Sequence, residues 1–162
     1  MRAVVGHIQT VTPEIQSAFL GTWIESKMLS LRVADHRALC DAARVLLPSY
    51  KGPAIRLFRG SSANERRRRI YGLSWTPEIA VAERFARERQ VFDGGSVVLE
   101  TLAPPDAIIC AVEYPRPFTQ EEIEKLGVDV QITEYHEERE YVVDRRRLNG
   151  VTVVRRYAQS AS

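Results

Sequence analysis

The chain has 162 residues, 44% of them hydrophobic and 27% charged, with a formal net charge of +2. That length supports one compact domain with a core, and the composition excludes a disordered, collagenous or fibrous protein. The near balance of charge argues against a dedicated nucleic-acid binder, and no apolar run reaches the ~20 residues that cross a bilayer.

The N-terminal stretch MRAVVGHIQTVTPE lacks the apolar centre of a secretory signal, so the expected location is the cytoplasm, with no membrane contact. Cys40 and Cys110 lie in apolar patterns and read as small buried hydrophobes in a reducing compartment. His7, His36 and His136 are scattered, and neither cysteine has ligand spacing to another Cys or His, so no metal site is expected.

Thr12-Pro13 reads as a helix start, and Ile15, Ala18, Phe19 and Trp23 then give one apolar face. A second helix is expected over 38–47, where Leu39, Ala42, Ala43 and Leu46 share a face and Pro48 stops it. Both faces are read as core, and residues 1–52 as a helical N-terminal part. After Lys51-Gly52-Pro53 the period changes to two. A strand is expected over 54–60 (AIRLFRG), a basic loop over 61–69 and a second strand over 70–76 (IYGLSWT). Thr76-Pro77-Glu78 opens a helix that carries Ile79, Ala82, Phe85 and Ala86 inward. Asp93-Gly94-Gly95 is a turn, followed by strands over 97–101 and 107–114. Thr119-Gln120-Glu121-Glu122 has the form of a capping box, opening a short helix that Gly127 closes. A loop over 128–137 leads to a strand over 138–144 (EREYVVD), and the last strand covers 151–157. The order describes an α+β domain, helices first and a β-rich core after.

Polar residues interrupt the strands where a core would be apolar. Ile55, Leu57 and Arg59 share a face, so that row runs from core toward a cleft, and a guanidinium there pairs internally or holds an anion. Gly60 permits close approach to the backbone. Ile70, Gly72, Ser74 and Thr76 form a small, polar face opposite Tyr71, Leu73 and Trp75. Thr76 also suits a helix cap. Glu138, Glu140, Val142 and Asp144 share a face, which would hold the two glutamates roughly 7 Å apart. Such a pair suits chemistry at a sugar anomeric carbon, and it equally suits a solvated acidic face.

In chain order these elements are an Arg-Gly strand end (LFRG, 57–60), a Ser-x-Thr strand end opening a helix with Phe-Ala (GLSWTPEIAVAERFA, 72–86) and a late strand beginning Glu-x-Glu (EREYVVD, 138–144). This resembles the Arg–Ser–Glu branch of the ADP-ribosyltransferase superfamily, as in bacterial and phage mono-ADP-ribosyltransferases and toxins. The resemblance covers 53–157; where the family often has Ser-Thr-Ser this chain has Ser74-Trp75-Thr76, with Trp75 on the face opposite Ser74.

The resemblance implies N-terminal helices packed on a split, mostly antiparallel β core. It implies NAD as co-substrate, no metal, and transfer of ADP-ribose to a macromolecular acceptor. Arg59 would hold NAD through its phosphates or adjacent ribose, and Gly60 would offer backbone hydrogen bonds to the nicotinamide amide. Ser74 would position the catalytic glutamate and the nicotinamide ribose, with Thr76 supporting that strand end. Glu140 would bind the ribose 2′-hydroxyl and stabilise the oxocarbenium ion as nicotinamide leaves. Glu138 would orient or deprotonate the acceptor, which tilts the expectation toward an arginine of a protein. The 128–137 loop would recognise the acceptor through Tyr135, and Phe92 would stack on the cofactor. His136 is left as a surface residue. These positions need no metal, because the task is positioning and stabilising positive charge.

Arg66–Arg69 and Arg145–Arg147 read either as solvated surface or as patches near the cleft for phosphates, an acidic protein or a nucleic-acid acceptor. The expected protein is an effector or toxin, which allows an antitoxin or immunity partner. The alternatives are an NAD glycohydrolase using the same residues, an inactive binding domain of the same fold, whose mark would be loss of Arg59, Ser74 or Glu140, and a nucleic-acid binder using the arginines.

Overall fold

In the computed structural model of the chain, the described residues are 11–25, 33, 35–92, 94–112 and 139–160. Helix α1 spans Pro13–Glu25. The carbonyl of Thr12 accepts from the amide of Gln16 at 3.1 Å, as expected of the residue before a helix-opening proline. Trp23 is buried and Phe19 packs beside it, while Ile15, expected on the same inward face, is exposed at the first turn. Helix α2 spans His36–Leu46 and starts earlier than its apolar pattern does, because Asp35 caps it, accepting from the amides of Arg37 and Ala38 at 3.0 Å each.

The β part contains β1 (Ile55–Ser62), β2 (Ser74–Trp75), β3 (Ser96–Ala103), β4 (Ile108–Ala111), β5 (Tyr141–Val143) and β6 (Thr152–Tyr157). Between β1 and β2 lies helix α3 (Ala63–Arg68), and between β2 and β3 lies helix α4 (Ile79–Glu88), prolonged by a 3-10 turn, Arg89–Val91. A second 3-10 turn, Arg145–Arg147, follows β5.

The strands form two antiparallel three-stranded sheets, in the orders β1-β3-β6 and β2-β5-β4. The long β1–β3 ladder runs from Ile55↔Ala103 to Ser62↔Ser96. One bridge joins the sheets, Phe58↔Thr76, through two backbone hydrogen bonds of 2.7 and 2.9 Å. Leu57, Trp75, Val97, Leu99, Ile108 and Val143 form a core shared by both sheets. Trp23, Leu39, Ala43 and Leu47 from the helical part pack with Leu73, Cys110 and Val142 of the β2-β5-β4 side. Helix α4 covers the β1-β3-β6 sheet, where Ala82 and Ala86 meet Val98. The chain is therefore an α+β protein, as its pattern implies, and its β part is divided into two antiparallel sheets.

Several boundaries differ from the sequence reading. The expected basic loop over 61–69 is mostly helix. Ser62 and Glu65 make a reciprocal capping box, which continues β1 into α3, and Arg69 ends the helix in the left-handed conformation. The expected second strand over 70–76 shortens to Ser74–Trp75 plus the Thr76 bridge. The helix after it begins at Ile79 rather than at Pro77. Thr76 Oγ1 instead accepts from the amide of Glu78 at 3.1 Å, so Thr76 closes a turn before the helix. The late strand over 138–144 is laddered at Tyr141–Val143. The expected capping box at 119–122 lies outside the described residues.

Candidate functional site

Arg59, Gly60, Ser74, Thr76 and Glu140 come from three strands that meet where the two sheets join. Phe58 uses its amide and carbonyl on Thr76, so by ladder alternation those of Gly60 point to the same side of β1. The pairing stops after this bridge. Gly60 and Ser74, which the same register would set opposite each other, therefore line the two sides of a gap. Gly60 has a second constraint. A Cβ there would lie 2.4 Å from the carbonyl oxygen of Ala82 and 2.4 Å from the amide nitrogen of Ala86, so only glycine lets α4 rest on β1.

The row Leu57–Arg59–Ser61 does not run from core to surface as expected: Leu57 and Ser61 are both fully buried and Arg59 between them partly so, because Ser61 bonds Glu65 as β1 turns into α3. Arg59 Nη1 donates to the Ser74 carbonyl across the gap at 2.6 Å. Its guanidinium lies against Gly72, where a Cβ would come 2.2 Å from Nη2. Arg59 Nε is buried with no hydrogen-bond partner among the described residues. Burial pushes the Arg59 pKa down to about 10; Glu65 and Glu140 oppose that shift, while Arg89 adds to it. The group is still cationic at neutral pH.

Ser74 pairs with Val142 and Trp75 with Tyr141. One step further, that register sets Thr76 opposite Glu140, so Ser74, Thr76 and Glu140 lie on one face of β2 and β5. Ser74 is exposed on that face. The backbone of Glu140 is held by a bond from the Val112 amide at 2.8 Å, and its Oε1 accepts from Trp23 Nε1 at 3.1 Å. The N-terminal helix thus reaches into the site and orients its carboxylate. That contact spans 117 positions, and no local pattern announces it.

A cleft of about 480 Å³ is lined by Ser62, Asn64, Glu65, Arg67, Arg89 and Phe92; Arg59, Gly60, Ser74, Thr76 and Glu140 are not in its lining, and Glu65 and Arg89 link it electrostatically to Arg59. Its volume is in the range of small-molecule pockets. Phe92 is 54% exposed, as a ring available for stacking must be. Glu65 and Arg89 are additions to the sequence reading. Burial by itself would raise the Glu65 pKa, but the Ser61 hydroxyl (2.6 Å), the Arg59 charge, the Ser62 amide (3.1 Å) and Arg89 together hold it below the ordinary value. The Ser62-x-x-Glu65 spacing was the available signal for that placement. Arg89 donates to the Phe85 carbonyl at 3.1 Å and stacks on the Phe85 ring, its centroid 5.7 Å away.

Glu138 and Tyr135 lie outside the described residues. The two arginine clusters have different surroundings. Arg66, Arg67, Arg68 and Arg69 are exposed around the end of α3, with Arg67 on the cleft. Arg145 donates to the Tyr71 carbonyl, Arg146 pairs with Asp144 and Asp41, and Arg147 pairs with Asp106, so the second cluster ties the fold together.

Comparisons with protein-family models, with curated proteins and with solved structures each found no match. Among the described residues no helix is long and apolar enough to cross a membrane, and no group of three or more His, Cys, Asp or Glu could hold a metal ion.

Proposed function

We propose that this chain is a mono-ADP-ribosyltransferase that uses NAD to modify a protein, with the split β part serving as its NAD site. One observation carries the reading. Arg59, Ser74 and Glu140, from three separate strands, converge on the gap between two half-sheets, and a buried guanidinium nitrogen there has no partner among the described residues. A cation that spends one bond on the Ser74 carbonyl and lies within electrostatic reach of Glu65 and Arg89 on the cleft suits the pyrophosphate of a dinucleotide. That cleft offers two further arginines and an exposed phenyl ring, which suit the adenylate part.

In this reading Arg59 binds and orients NAD, the Gly60 backbone faces the nicotinamide amide, and Ser74 and Thr76 line the strand end beside the nicotinamide ribose. The Glu140 carboxylate, oriented by Trp23, faces the positive charge that develops at the anomeric carbon as the bond to nicotinamide breaks. A bond to the acceptor forms at that carbon and the acceptor loses its proton. An arginine acceptor, and an effector or toxin role with a cognate inhibitor, follow from the family resemblance of the motifs.

The test is nicotinamide release from labelled NAD, with and without host-cell lysate, for the wild type and Glu140→Gln. The glutamine keeps an acceptor for Trp23 and removes the charge, so the fold is retained. Release should fall by about 10²-fold or more in the variant, with label on a lysate protein only for the wild type. Free ADP-ribose without labelled protein would make the enzyme a glycohydrolase. No release under any condition would sink the enzymatic reading.

A further inference from the structure

Arg69 and Arg139 are the two non-glycine residues with positive φ among the described residues, at 53° and 42°. Arg69 ends a helix, where a left-handed residue is ordinary. Arg139 directly precedes Glu140, and the left-handed region is disfavoured for a long side chain, so something must hold it there. The neighbouring contact is an ion pair, in which Arg139 Nη1 donates to Glu78 Oε1 at 2.8 Å. Glu78 is fixed in turn, because its amide donates to Thr76 Oγ1 at 3.1 Å and it is the N-cap of α4. The β2–β5 ladder ends at Trp75↔Tyr141, so beyond it this pair ties the Glu140 segment to the Ser74–Thr76 segment.

A left-handed residue breaks the two-residue alternation, so at 139 the chain departs from the line of β5 and Glu140 is the last residue in register with β2. We propose that the Arg139–Glu78 ion pair is a positioning clamp: it holds residue 139 left-handed where the ladder ends and thereby keeps Glu140, which the register places on the face of Ser74, with its carboxylate against Trp23. Arg139 and Glu78 act through Glu140 and are positioning residues. Their side chains are 59% and 46% exposed, so the pair adds little to global stability and its effect falls on the site. The catalytic consequence rests on the transferase reading; the geometric one does not.

The experiment uses the full chain and the variants Glu78→Gln, Arg139→Gln, Arg139→Gly and the charge exchange Glu78→Arg with Arg139→Glu. It reads kcat and KM for nicotinamide release, melting temperature, and the indole N–H resonance of Trp23, with Trp75 as internal control. Each single variant should lower kcat about tenfold with KM for NAD changed less than about twofold. Melting temperatures should stay within about 2 °C. The Trp23 resonance should move in the singles while that of Trp75 stays. The exchange should recover most of the loss in kcat and return the Trp23 resonance. Arg139→Gly, which accepts the backbone conformation without the tether, should behave like the other singles. The clamp is overturned if the singles leave the Trp23 resonance and kcat unchanged, if kcat falls only together with melting temperature, if the exchange restores nothing, or if Arg139→Gly is fully active. If even the wild type releases no nicotinamide, a Trp23 resonance that moves in the singles and returns in the exchange supports the clamp while the transferase reading fails.

Discussion

Two charges of this molecule, the buried Asp144 and the partly buried Arg59, have opposite surroundings. Asp144 is fully buried and saturated: its oxygens accept from Arg44 at 3.2 and 3.3 Å, from the Arg146 side chain at 2.8 Å twice, and from the Arg146 amide at 3.1 Å. Arg59 reaches one carbonyl and keeps a buried nitrogen without a partner among the described residues. A saturated buried ion is a structural joint; here it binds α2 and the turn after β5 to one point. An unsaturated one is disfavoured unless something completes its hydrogen bonds, and in the proposed function a ligand does so.

The largest effect on stability is expected where the saturated ion is broken. Asp144→Ala leaves Arg44 and Arg146 without their shared partner and should cost about 3–5 kcal/mol. That is a fall in melting temperature on the order of 10 °C in a scanning experiment. A loss under about 1 kcal/mol would erase the contrast between the two ions.

Gly60→Ala comes next. The new methyl meets backbone atoms of α4 that cannot rotate away, so α4 must shift, at about 1–3 kcal/mol in urea unfolding. A neutral result would mean that α4 is not seated on β1.

The pH response sharpens the comparison. Burial alone would raise the Asp144 pKa, but the bonds from Arg146 and Arg44 hold it below 3.8. Since the folded value is the lower one, its stabilisation is present above the unfolded value and is lost as pH falls through the folded one. Wild-type stability should therefore drop below about pH 4, and Asp144→Asn should lack that part of the acid response. An unchanged acid profile in the variant would show that other carboxylates carry it.

Arg59→Met removes the unsaturated ion and keeps the length of the stem. Its stability should stay within about 1 kcal/mol of wild type, or rise, while nicotinamide release is lost. A loss as large as that of Asp144→Ala would show Arg59 to be structural. Smallest of all, Arg67→Gln on the exposed cleft wall should change stability by less than about 0.5 kcal/mol and raise KM for NAD.

Much of the fold was legible because its signals are local. Thr12-Pro13 and Pro48 bound the two helices, and Leu39, Ala42, Ala43 and Leu46 name the buried face of α2. The two-residue period found β1, β3 and β6 to within a few positions. The short strands were drawn too long. Ile70–Leu73 and Asp144 have strand-like neighbours in sequence, yet they carry isolated backbone bonds, such as Val143 amide to Leu73 carbonyl and Asp144 amide to Ala107 carbonyl, rather than a continued ladder. The helix at Ala63–Arg68 was missed because four arginines outweighed a capping box that was plainly present. Of the site, Arg59, Ser74 and Glu140 were readable as polar interruptions of apolar strands.

By itself the sequence determined the class of the fold, the order of its strands and of its three longer helices, and the residues of a candidate site, because periodicity, caps and turn residues act over a few positions. It did not separate the two arginine clusters. Only the tertiary structure gave Arg146 the oxygens of Asp144 and Asp41 and left Arg67 on the wall of a cleft. Likewise only the fold brought Trp23 to Glu140 and Glu78 to Arg139. Those contacts span 117 and 61 positions, and whether a charge is paired depends on what packs against it rather than on its neighbours along the chain.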